Sequence, residues 1–381
     1  MAERFVHSAD WQIGKVFADL VGEDPDQAAL LKRERISAVE RIAALARERQ
    51  ADCVIAAGDV FDSHTVPDDV LRRTVLAMAG YSGPWLLLPG NHDAALFESV
   101  WTRLVRLGLP ANVKPLLSAE PVILKDGKLA VLPAPLLRRH ESIDVSDALD
   151  TMVSPVGAVR VGVAHGSVKN RLPERSEATN EIADDRVQRA RLDYLALGDW
   201  HGFLPIADRT YYAGTPEPDR FKDADRSPSG QVLFVEMEGP GCPPLVDVVK
   251  TGHFQWEKRK LTVLSEADVA LVEAMLMGLA QPHRQTLLDL TLMGSLPLSA
   301  EQSLRKLLSE WRARLHLLRV HDDALLPEVS EDELDNLPAE GLLRNVVAEL
   351  RQKQQQPSEA GERAKLALKL LVEEYRQAVG T

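Results

Sequence analysis

The sequence predicts a layered α/β domain, a smaller domain after it and a helical C-terminal segment. Short apolar runs alternate with helical stretches through the first half of the chain, which is the order of elements found in layered α/β folds. The length of 381 residues and the hydrophobic content of 45% are sufficient for two or three separate cores.

The first domain is predicted to combine apolar strands with two clear helices. A helix is predicted for residues 26–49, where apolar side chains recur at about 3.6-residue spacing. Another is predicted for residues 67–79, because a proline is well suited to the first helical turn. The strands are predicted at residues 4–8, 53–57, 85–88, 129–133, 159–164, 194–197, 210–213, 231–236 and 245–250.

The segment after residue 252 has a βαβαβ order. Strands are predicted at residues 255–263, 286–292 and 315–320, and helices at 265–279 and 299–314. Past residue 323 the chain becomes acidic and polar, with helices predicted at 339–353 and 361–378. We therefore expect three segments, 1–252, 253–323 and 324–381. The last of them either docks a partner or packs back on the rest of the protein.

Charge and cysteine content limit the classes of function. The net charge of −12 provides no general attraction for nucleic acid, although a local basic groove would be enough. Cys53 and Cys242 lie in separate predicted elements, which fits a reduced cytoplasmic protein without disulfides. No apolar run approaches about 18 residues and the chain opens on a predicted strand, so we expect neither a membrane span nor a signal peptide.

Polar residues follow five of the predicted strands directly. The segments are SADWQ, AAGDVFD, LLPGNHD, VAHGS and LGDWHG. Each one alone is most simply a turn or a helix cap. Five together are hard to explain by capping, because strand ends converge at one edge of an α/β sheet. Asp, Asn and His ligands without thiolates suit manganese or iron, with zinc and magnesium as alternatives. Two such ions would activate a water and hold a phosphate oxygen.

These segments resemble the motifs of the calcineurin-like metallophosphoesterases, which run D-x-H, G-D-x-x-D, G-N-H-D/E, H and G-H-x-H. HSADWQIGK, AAGDVFDS, LPGNHD, DYLALGDWHG and the later YYAGTPEPDRF resemble more narrowly the bacterial SbcD-type DNA-repair exonucleases. The resemblance is strong over about residues 4–250 and weak to about residue 320. It implies a four-layer αββα sandwich with a small appended α+β capping domain and a helical C-terminal tail. It also implies a DNA phosphodiesterase that uses two divalent ions, Mn(II) first, with Mg, Fe or Zn as alternatives.

The resemblance assigns a role to each matching position. Asp59 bridges the two metals, His92 stabilises the transition state or protonates the leaving oxygen, and Asp62 orients His92. Lys15 lies where a basic residue could contact a phosphate. The metal ligands are Asp10, Gln12, Asp59, Asn91, His165, Asp199 and His201.

Two of these positions depart from the motifs. Asp199 replaces a histidine, and its carboxylate suits manganese or magnesium as well as an imidazole does. Gln12 also replaces a histidine, and its neutral amide is the weaker donor. Gln12 therefore either binds the first metal loosely or points away from it and leaves a water in the gap.

Local basic clusters are the sequence evidence for a nucleic-acid substrate. Arg138 and Arg139, and then Lys169 and Arg171, leave loops after predicted strands and could contact phosphates. A solvated charged loop explains each cluster equally well. Further residues are expected outside the site: Arg186, Arg189 and Arg191 on a helix surface, His7 as a buried hydrogen-bonded residue and His64 in a solvated loop.

Partners follow from the resemblance. It implies a homodimer through helices near residues 67–79 and 95–107, and a coiled-coil ATPase of the SMC or SbcC type, for which the C-terminal helices are the candidate docking site. The apolar residues between Leu96 and Leu107 could equally be core. An inactive metal-binding scaffold and a small-molecule phosphatase are the alternative functions, and the biological setting is either DNA repair or defence.

Overall fold

The computed structural model describes residues 2–17, 20, 25–171, 180–221, 228–328, 334 and 342–379. Backbone contacts divide the chain into two units. The first holds the described residues up to Arg220 and from 228 to Phe254, and the second holds Phe221 and the described residues from Gln255 onward. None of the described helices is long and apolar enough to cross a membrane.

The first unit is built on two six-stranded sheets. One has the order β12-β11-β1-β2-β3-β4 and the other the order β5-β6-β7-β8-β10-β9. The strands are β1 (Glu3–Ser8), β2 (Cys53–Ala57), β3 (Trp85–Leu88), β4 (Val113–Pro115), β5 (Val122–Leu124), β6 (Leu129–Ala134), β7 (Val159–His165), β8 (Tyr194–Gly198), β9 (Leu204–Ala207), β10 (Thr210–Tyr212), β11 (Gln231–Met237) and β12 (Leu245–Lys250). Strands β1 to β4 run parallel, as do β6, β7 and β8.

The two sheets pack face to face over a shared apolar core. Alternate residues of a strand point to opposite faces, so Phe5 enters the core between the sheets while Val6 enters the core under the helices. The helices α1 (Pro25–Glu48), α2 (Asp68–Met78) and α3 (Val100–Arg106) cover the first sheet. The short helix α4 (Arg186–Arg189) and a 3₁₀ helix at Val145–Asp150 lie on the second. The αββα sandwich implied by the resemblance is confirmed.

Element boundaries differ from prediction where side-chain periodicity is weak. Pro67 precedes α2 as its N-cap instead of lying in its first turn. The helix predicted at residues 95–107 is shorter, because the Ser99 side chain accepts a hydrogen bond from Thr102 N and starts α3 at Val100. The short strands β4, β5 and β9 were not predicted, since each has at most four residues and half-exposed positions.

Arg186 corrects one sequence expectation. It was expected on a helix surface, but its side chain is buried and pairs with Asp144 at 2.7 Å, with Asp150 at 2.6 Å and with Asp147. The three carboxylates are three residues apart, and a 3₁₀ helix with three residues per turn places them on one face. Arg189, at the other end of α4, is half-exposed and pairs with two of these carboxylates, Asp147 and Asp150.

The second unit begins with a parallel three-stranded sheet of β13 (Gln255–Val263), β14 (Thr286–Pro297) and β15 (Leu317–Glu328). The helices α5 (Glu266–Met277) and α6 (Leu298–Arg312) connect the strands and share their core. Strand β15 extends past residue 320, where the predicted strand ended. It also passes residue 323, where the tail was expected to begin.

Two C-terminal helices follow, α7 (Leu342–Gln354) and α8 (Glu359–Val379). They pack against each other through Val347, Leu368 and Val372, and α8 also contacts β15. The part of the predicted helix at residues 339–353 that precedes Leu342 lies outside the described residues. Helix α8 thus packs within the second unit, while other side chains of α8 stay exposed.

Candidate metal centre

The polar residues singled out in the sequence lie at the carboxyl ends of parallel strands in the two facing sheets. Asp10 and Gln12 follow β1, Asp59 follows β2, and Asn91 follows β3. His165 is the last residue of β7, and Asp199 and His201 follow β8. Face-to-face packing brings the edge of one sheet against the edge of the other.

The loops after β1 and β2 are tied together by main-chain hydrogen bonds. Asp10 N donates to Gly58 O at 3.0 Å, and Gln12 N donates to Asp59 O at 2.8 Å. The residues Asp10, Gln12 and Asp59 have φ values of 53°, 43° and 52°, in the left-handed region that side chains other than glycine seldom adopt. Such strain persists only where the surroundings hold it, and it often marks a functional site.

Two glycines allow the loops to approach this closely. A Cβ at Gly58, whose φ is +95°, would lie 2.0 Å from His165 Nδ1. A Cβ at Gly90 would lie 2.2 Å from Asp59 Oδ1. Both distances are far below a van der Waals contact, so only glycine fits at either position.

Asp10, Asp59 and His165 form a fully buried cluster whose ligand atoms all lie within 4.8 Å of one another. His165 Nδ1 donates to the carbonyl oxygen of Ala57 at 2.9 Å, because a carbonyl can only accept. This bond leaves His165 Nε2 directed at Asp59 Oδ1, 3.5 Å away, where the nitrogen can bind either a proton or a metal ion. A histidine held through one nitrogen with the other free is the usual arrangement of a metal ligand.

The donor atoms around this cluster fit a cation. The side-chain amide of Asn91 lies 3.1 Å from His165 Nε2 and from both carboxylate oxygens of Asp59, where its nitrogen can donate to these atoms and its oxygen could bind a cation. Asp10 Oδ2 is buried and has no hydrogen-bond partner among the residues that the structure describes. A buried carboxylate oxygen without a hydrogen-bond donor is stabilised by a nearby positive ion.

Electrostatics point the same way. Burial lowers the pKa of His165, but the charges of Asp59, Asp10 and Asp199 outweigh it and raise the pKa to about 9. Burial raises the pKa of Asp10 to about 7, against the opposing effect of His165. The carboxylates of the cluster therefore stabilise a positive charge among them, and either a proton or a bound divalent ion can supply that charge.

His92 lies at the edge of the cluster and is partly exposed. Its main-chain N–H donates to Asp59 Oδ1 at 2.9 Å, and its Nε2 is 4.0 Å from Asp59 Oδ2. Its Nδ1 donates to the main-chain carbonyl of Asp62 at 3.0 Å. The contact with Asp62 therefore runs through the backbone, where the sequence had suggested the carboxylate.

Lys15 and His201 both contact Asp219, a residue that had no role in the sequence interpretation. Asp219 Oδ2 accepts from Lys15 Nζ at 2.8 Å and from His201 Nδ1 at 2.9 Å. Burial raises the pKa of Asp219, but His201, Arg220 and Lys15 lower it well below the usual range. Lys15 is therefore already paired with a carboxylate. The only sequence signal for Asp219 was the segment TPEPDRF.

Arg35 of α1 is a second residue that sequence reasoning missed. It is 1% exposed, and it donates to the main-chain oxygens of Asp10, Trp11 and Glu217 and to Thr215 Oγ1. A single guanidinium thus joins the loop after β1 to the segment before β11. Its helical position on α1 carries no sign of this role, because three of these four contacts are to main-chain oxygens.

A third missed residue is Asp93, the last residue of PGNHD. Its buried carboxylate accepts from Phe61 N at 3.0 Å and Gly90 N at 2.6 Å, which holds the loops after β2 and β3 together. Burial and the charge of Asp59 raise the pKa of Asp93 to about 8.

The other candidates lie outside the cluster. His7 is buried and contacts Tyr194 Oη and Leu197 O, as expected, and burial lowers its pKa to about 3. His64 caps the N–H of Val100. Lys15, one of the residues proposed to contact substrate, is partly buried. The others are all exposed on loops after β6 and β7: Arg138, Arg139, Lys169 and Arg171. Of these, Arg171 is 3.7 Å from Asp184.

Several known proteins are similar to this chain. The family model of calcineurin-like phosphoesterases matches residues 3–203. The SbcD subunit of nuclease SbcCD from Escherichia coli K12 and its counterpart from strain O157:H7 are each 30% identical over 149 residues, covering 37% of this chain and 34% of theirs. The match thus spans about a third of the length of these relatives. A purple acid phosphatase from yellow lupin seeds superposes with a TM-score of 0.41 at 14% identity, over 66% of this chain and 52% of that one.

Asp59→Asn tests the cation site without any substrate. Saturating manganese should raise the melting temperature of the wild type by about 5 °C or more, since ligand at about 100 times its dissociation constant stabilises by about 2.7 kcal/mol. The variant should lose this shift, and its metal-free form should melt higher because one buried charge is gone. Differential scanning fluorimetry measures both.

Asp126→Asn is the matched control. Asp126 is exposed and has a φ of 52°, which asparagine tolerates, so this variant should keep the manganese shift. A shift of wild-type size in Asp59→Asn would show that the buried carboxylates do not hold the ion.

Proposed function

The chain belongs to the calcineurin-like phosphoesterase family, and from this premise we propose that it is a metal-dependent phosphodiesterase that hydrolyses the backbone of DNA. The observation that carries the proposal is the buried cluster of Asp10, Asp59 and His165 with His92 beside it. The choice of DNA as substrate is supported by the similarity to the SbcD subunit of nuclease SbcCD.

The metal centre follows the ligand chemistry. Asp59, Asn91 and His165 supply oxygen and imidazole donors and no thiolate, which favours Mn(II), with Mg, Fe or Zn as alternatives. When bound, a divalent ion lowers the pKa of a water molecule and polarises a phosphoryl oxygen. Asn91 and His165 would hold the ion at the strand ends, and burial of Asp10, Asp59 and His165 would exclude competing solvent.

His92 is the proposed catalytic acid. Its Nδ1 carries a proton because the Asp62 carbonyl can only accept, so the exchangeable proton is the one on Nε2. Nε2 is on the side that faces Asp59, and the side chain is 33% exposed, so a substrate can reach it. Protonated His92 can donate to the leaving oxygen of the cleaved phosphodiester and stabilise its developing charge.

DNA binding is proposed to use the loops after β6 and β7. Arg138 and Arg139 follow β6 and Lys169 follows β7, at the same sheet edge that carries His165. Asn180 joins these loops, since its side chain accepts from Glu141 N and donates to Arg139 O. Contacts to phosphates alone give affinity without sequence preference, which suits a nuclease.

His92→Ala tests the catalytic proposal on linear, hairpin and circular DNA with manganese. The variant should lose about 10²–10⁴-fold in cleavage rate, the range for one general acid, while binding as much manganese as the wild type. His283→Ala, which removes a histidine of the second unit, should cleave normally.

The same assay separates the alternative functions. Turnover of nucleotides or sugar phosphates without cleavage of DNA would identify a small-molecule phosphatase. Manganese binding without turnover of either substrate would identify a scaffold.

Arg138→Glu tests the basic loop. Reversal of one phosphate-contacting charge should weaken DNA binding at low salt and make the plot of log affinity against log salt less steep by about one to two contacts. Lys128→Glu is the matched control, because Lys128 is exposed at the opposite end of β6. Equal weakening in the two variants would indicate a general charge effect and contradict a defined DNA path.

A coiled-coil ATPase of the SMC or SbcC type is the proposed partner. The curated relatives are named as one subunit of a nuclease, which supports a second subunit. In this chain, α8 buries Leu368 and Val372 against α7 but leaves Leu366 and Leu370 about half exposed, four residues apart on one face. This apolar pair is the proposed contact with the ATPase.

Leu366→Glu/Leu370→Glu should abolish co-purification with the ATPase and leave manganese-dependent cleavage by the isolated chain unchanged. Point changes are preferable to removal of α8, since its loss would expose the buried face of α7. Glu362→Lys/Glu374→Lys, two exposed charges of α8, provides the control and should retain the ATPase. Retention by the leucine variant would rule out this face.

A homodimer through the first unit is also proposed. In α2 and α3, Leu76 and Val105 are exposed, whereas Val100, Trp101 and Leu104 prove to be core. Leu71, Val75 and Leu107 line a groove between the same helices. A solution mass of one chain by light scattering would contradict the dimer.

The proposed setting is the cytoplasm, in DNA repair or defence, and both free cysteines fit a reducing compartment.

A further inference from the structure

The orientation of the Gln12 amide is determined by its neighbours. Lys15 Nζ lies 3.1 Å from Gln12 Oε1, and an ammonium group can only donate, so the amide atom that faces Lys15 must be the oxygen. The amide nitrogen therefore faces the other way. It lies 3.4 Å from Asp59 Oδ2 and 3.3 Å from His201 Nε2.

These two acceptor atoms are the ones that a first metal ion would need. His201 Nδ1 donates to the Asp219 carboxylate, so His201 Nε2 is unprotonated and accepts from the Gln12 amide. An amide NH₂ group has no lone pair for a metal. Because Gln12 is 2% exposed, its nitrogen fills the space between Asp59 and His201.

Charge also disfavours a metal at this position. Asp219 is fully buried and meets two cations, Lys15 Nζ at 2.8 Å and Arg220 Nε at 3.2 Å. The Arg220 guanidinium also lies 2.8 Å from His201 Nδ1. Lys15 and Arg220 already neutralise the charge of Asp219, so this carboxylate has no unpaired negative charge to offer a divalent ion, and the two cations would repel one.

The other side of the centre has gained a negative group. Asp199, at the second departure from the family motif, accepts from Ser167 Oγ at 2.9 Å, and its Oδ1 lies 3.9 Å from His165 Nε2. A carboxylate here adds charge next to Asp59 and Asn91, where the donor atoms converge. Gln12 therefore weakens metal binding in its half of the centre, whereas Asp199 strengthens metal binding in the other half.

We propose that this chain holds a single divalent ion, bound by Asp59, Asn91 and His165 beside Asp10 and Asp199, and that the Gln12 amide with Lys15 and Arg220 replaces the first ion of a dinuclear centre. Fixed positive side chains then face the substrate phosphate where a second metal would otherwise lie. The inference deepens the proposed function and rests on its metal centre, but it concerns the number of ions and not the substrate.

Metal counting tests the inference with manganese alone and no substrate. The full chain is stripped with chelator and titrated with manganese chloride, while the signal of free Mn(II) is followed by electron paramagnetic resonance and the bound metal by elemental analysis. The wild type should bind about one ion per chain, without the exchange coupling of a manganese pair. Binding of about two ions, or of none, would overturn the inference without any variant.

Gln12→His locates the cause. This variant restores an imidazole donor and removes the amide, and it should bind about two ions with an exchange-coupled signal. Gln352→His, which adds a histidine on the exposed face of α7, should stay at about one. A count of one in a folded Gln12→His variant would overturn the role of Gln12. Cleavage of DNA is scored separately, so failure of the proposed function is distinguishable from failure of the count.

Discussion

The carboxylate of Asp59 lies where the strand ends of the two sheets meet, and the rest of the centre is arranged around it. Its Oδ1 accepts the N–H of His92, its main-chain oxygen accepts the N–H of Gln12, and its Oδ2 faces the Gln12 amide. A left-handed φ at an aspartate costs on the order of 1–3 kcal/mol, and these contacts hold it. The missing side chain at Gly90 provides the space. The same contacts therefore fix the position of Asp59, hold its strained backbone and keep its carboxylate buried.

Burial makes the centre dependent on positive charge. Asp10, Asp59 and Asp199 lie within one water-poor region, and separate carboxylates are unfavourable there unless a cation lies between them. In the half that contains His165, the buried cluster of Asp10, Asp59 and His165 fits a bound ion. In the half that contains Asp219 the positive charge is already part of the chain. The buried carboxylates are thus balanced by a bound ion in one half of the centre and by lysine and arginine side chains in the other.

Sequence patterns predicted the parts of the molecule that depend on local order. Strands such as β2 and β3 are continuous apolar runs, and the residues just beyond them could be placed at one sheet edge from topology alone. The short edge strands lacked that signal. Asp219 and Arg35 were missed because their roles come from contacts between distant segments: Lys15 meets Asp219 across 204 residues of chain, and Arg35 meets Thr215 across 180. Arg186 was misplaced because the 3₁₀ spacing of its three aspartates was not recognised.

The identity of Gln12 was visible in the sequence, but its consequence was not. Read alone, a glutamine in place of a ligand histidine suggests a weaker bond to the same ion. The direction of the amide depends on Lys15, and Lys15 is held by Asp219. Once the ammonium fixes the oxygen, the nitrogen must face Asp59 and His201, where it donates instead of binding a metal. A substitution that looks like a mere loss of donor strength therefore reverses the hydrogen-bonding polarity of the position, and Lys15 and Arg220 supply the positive charge that this half of the centre presents to a phosphate.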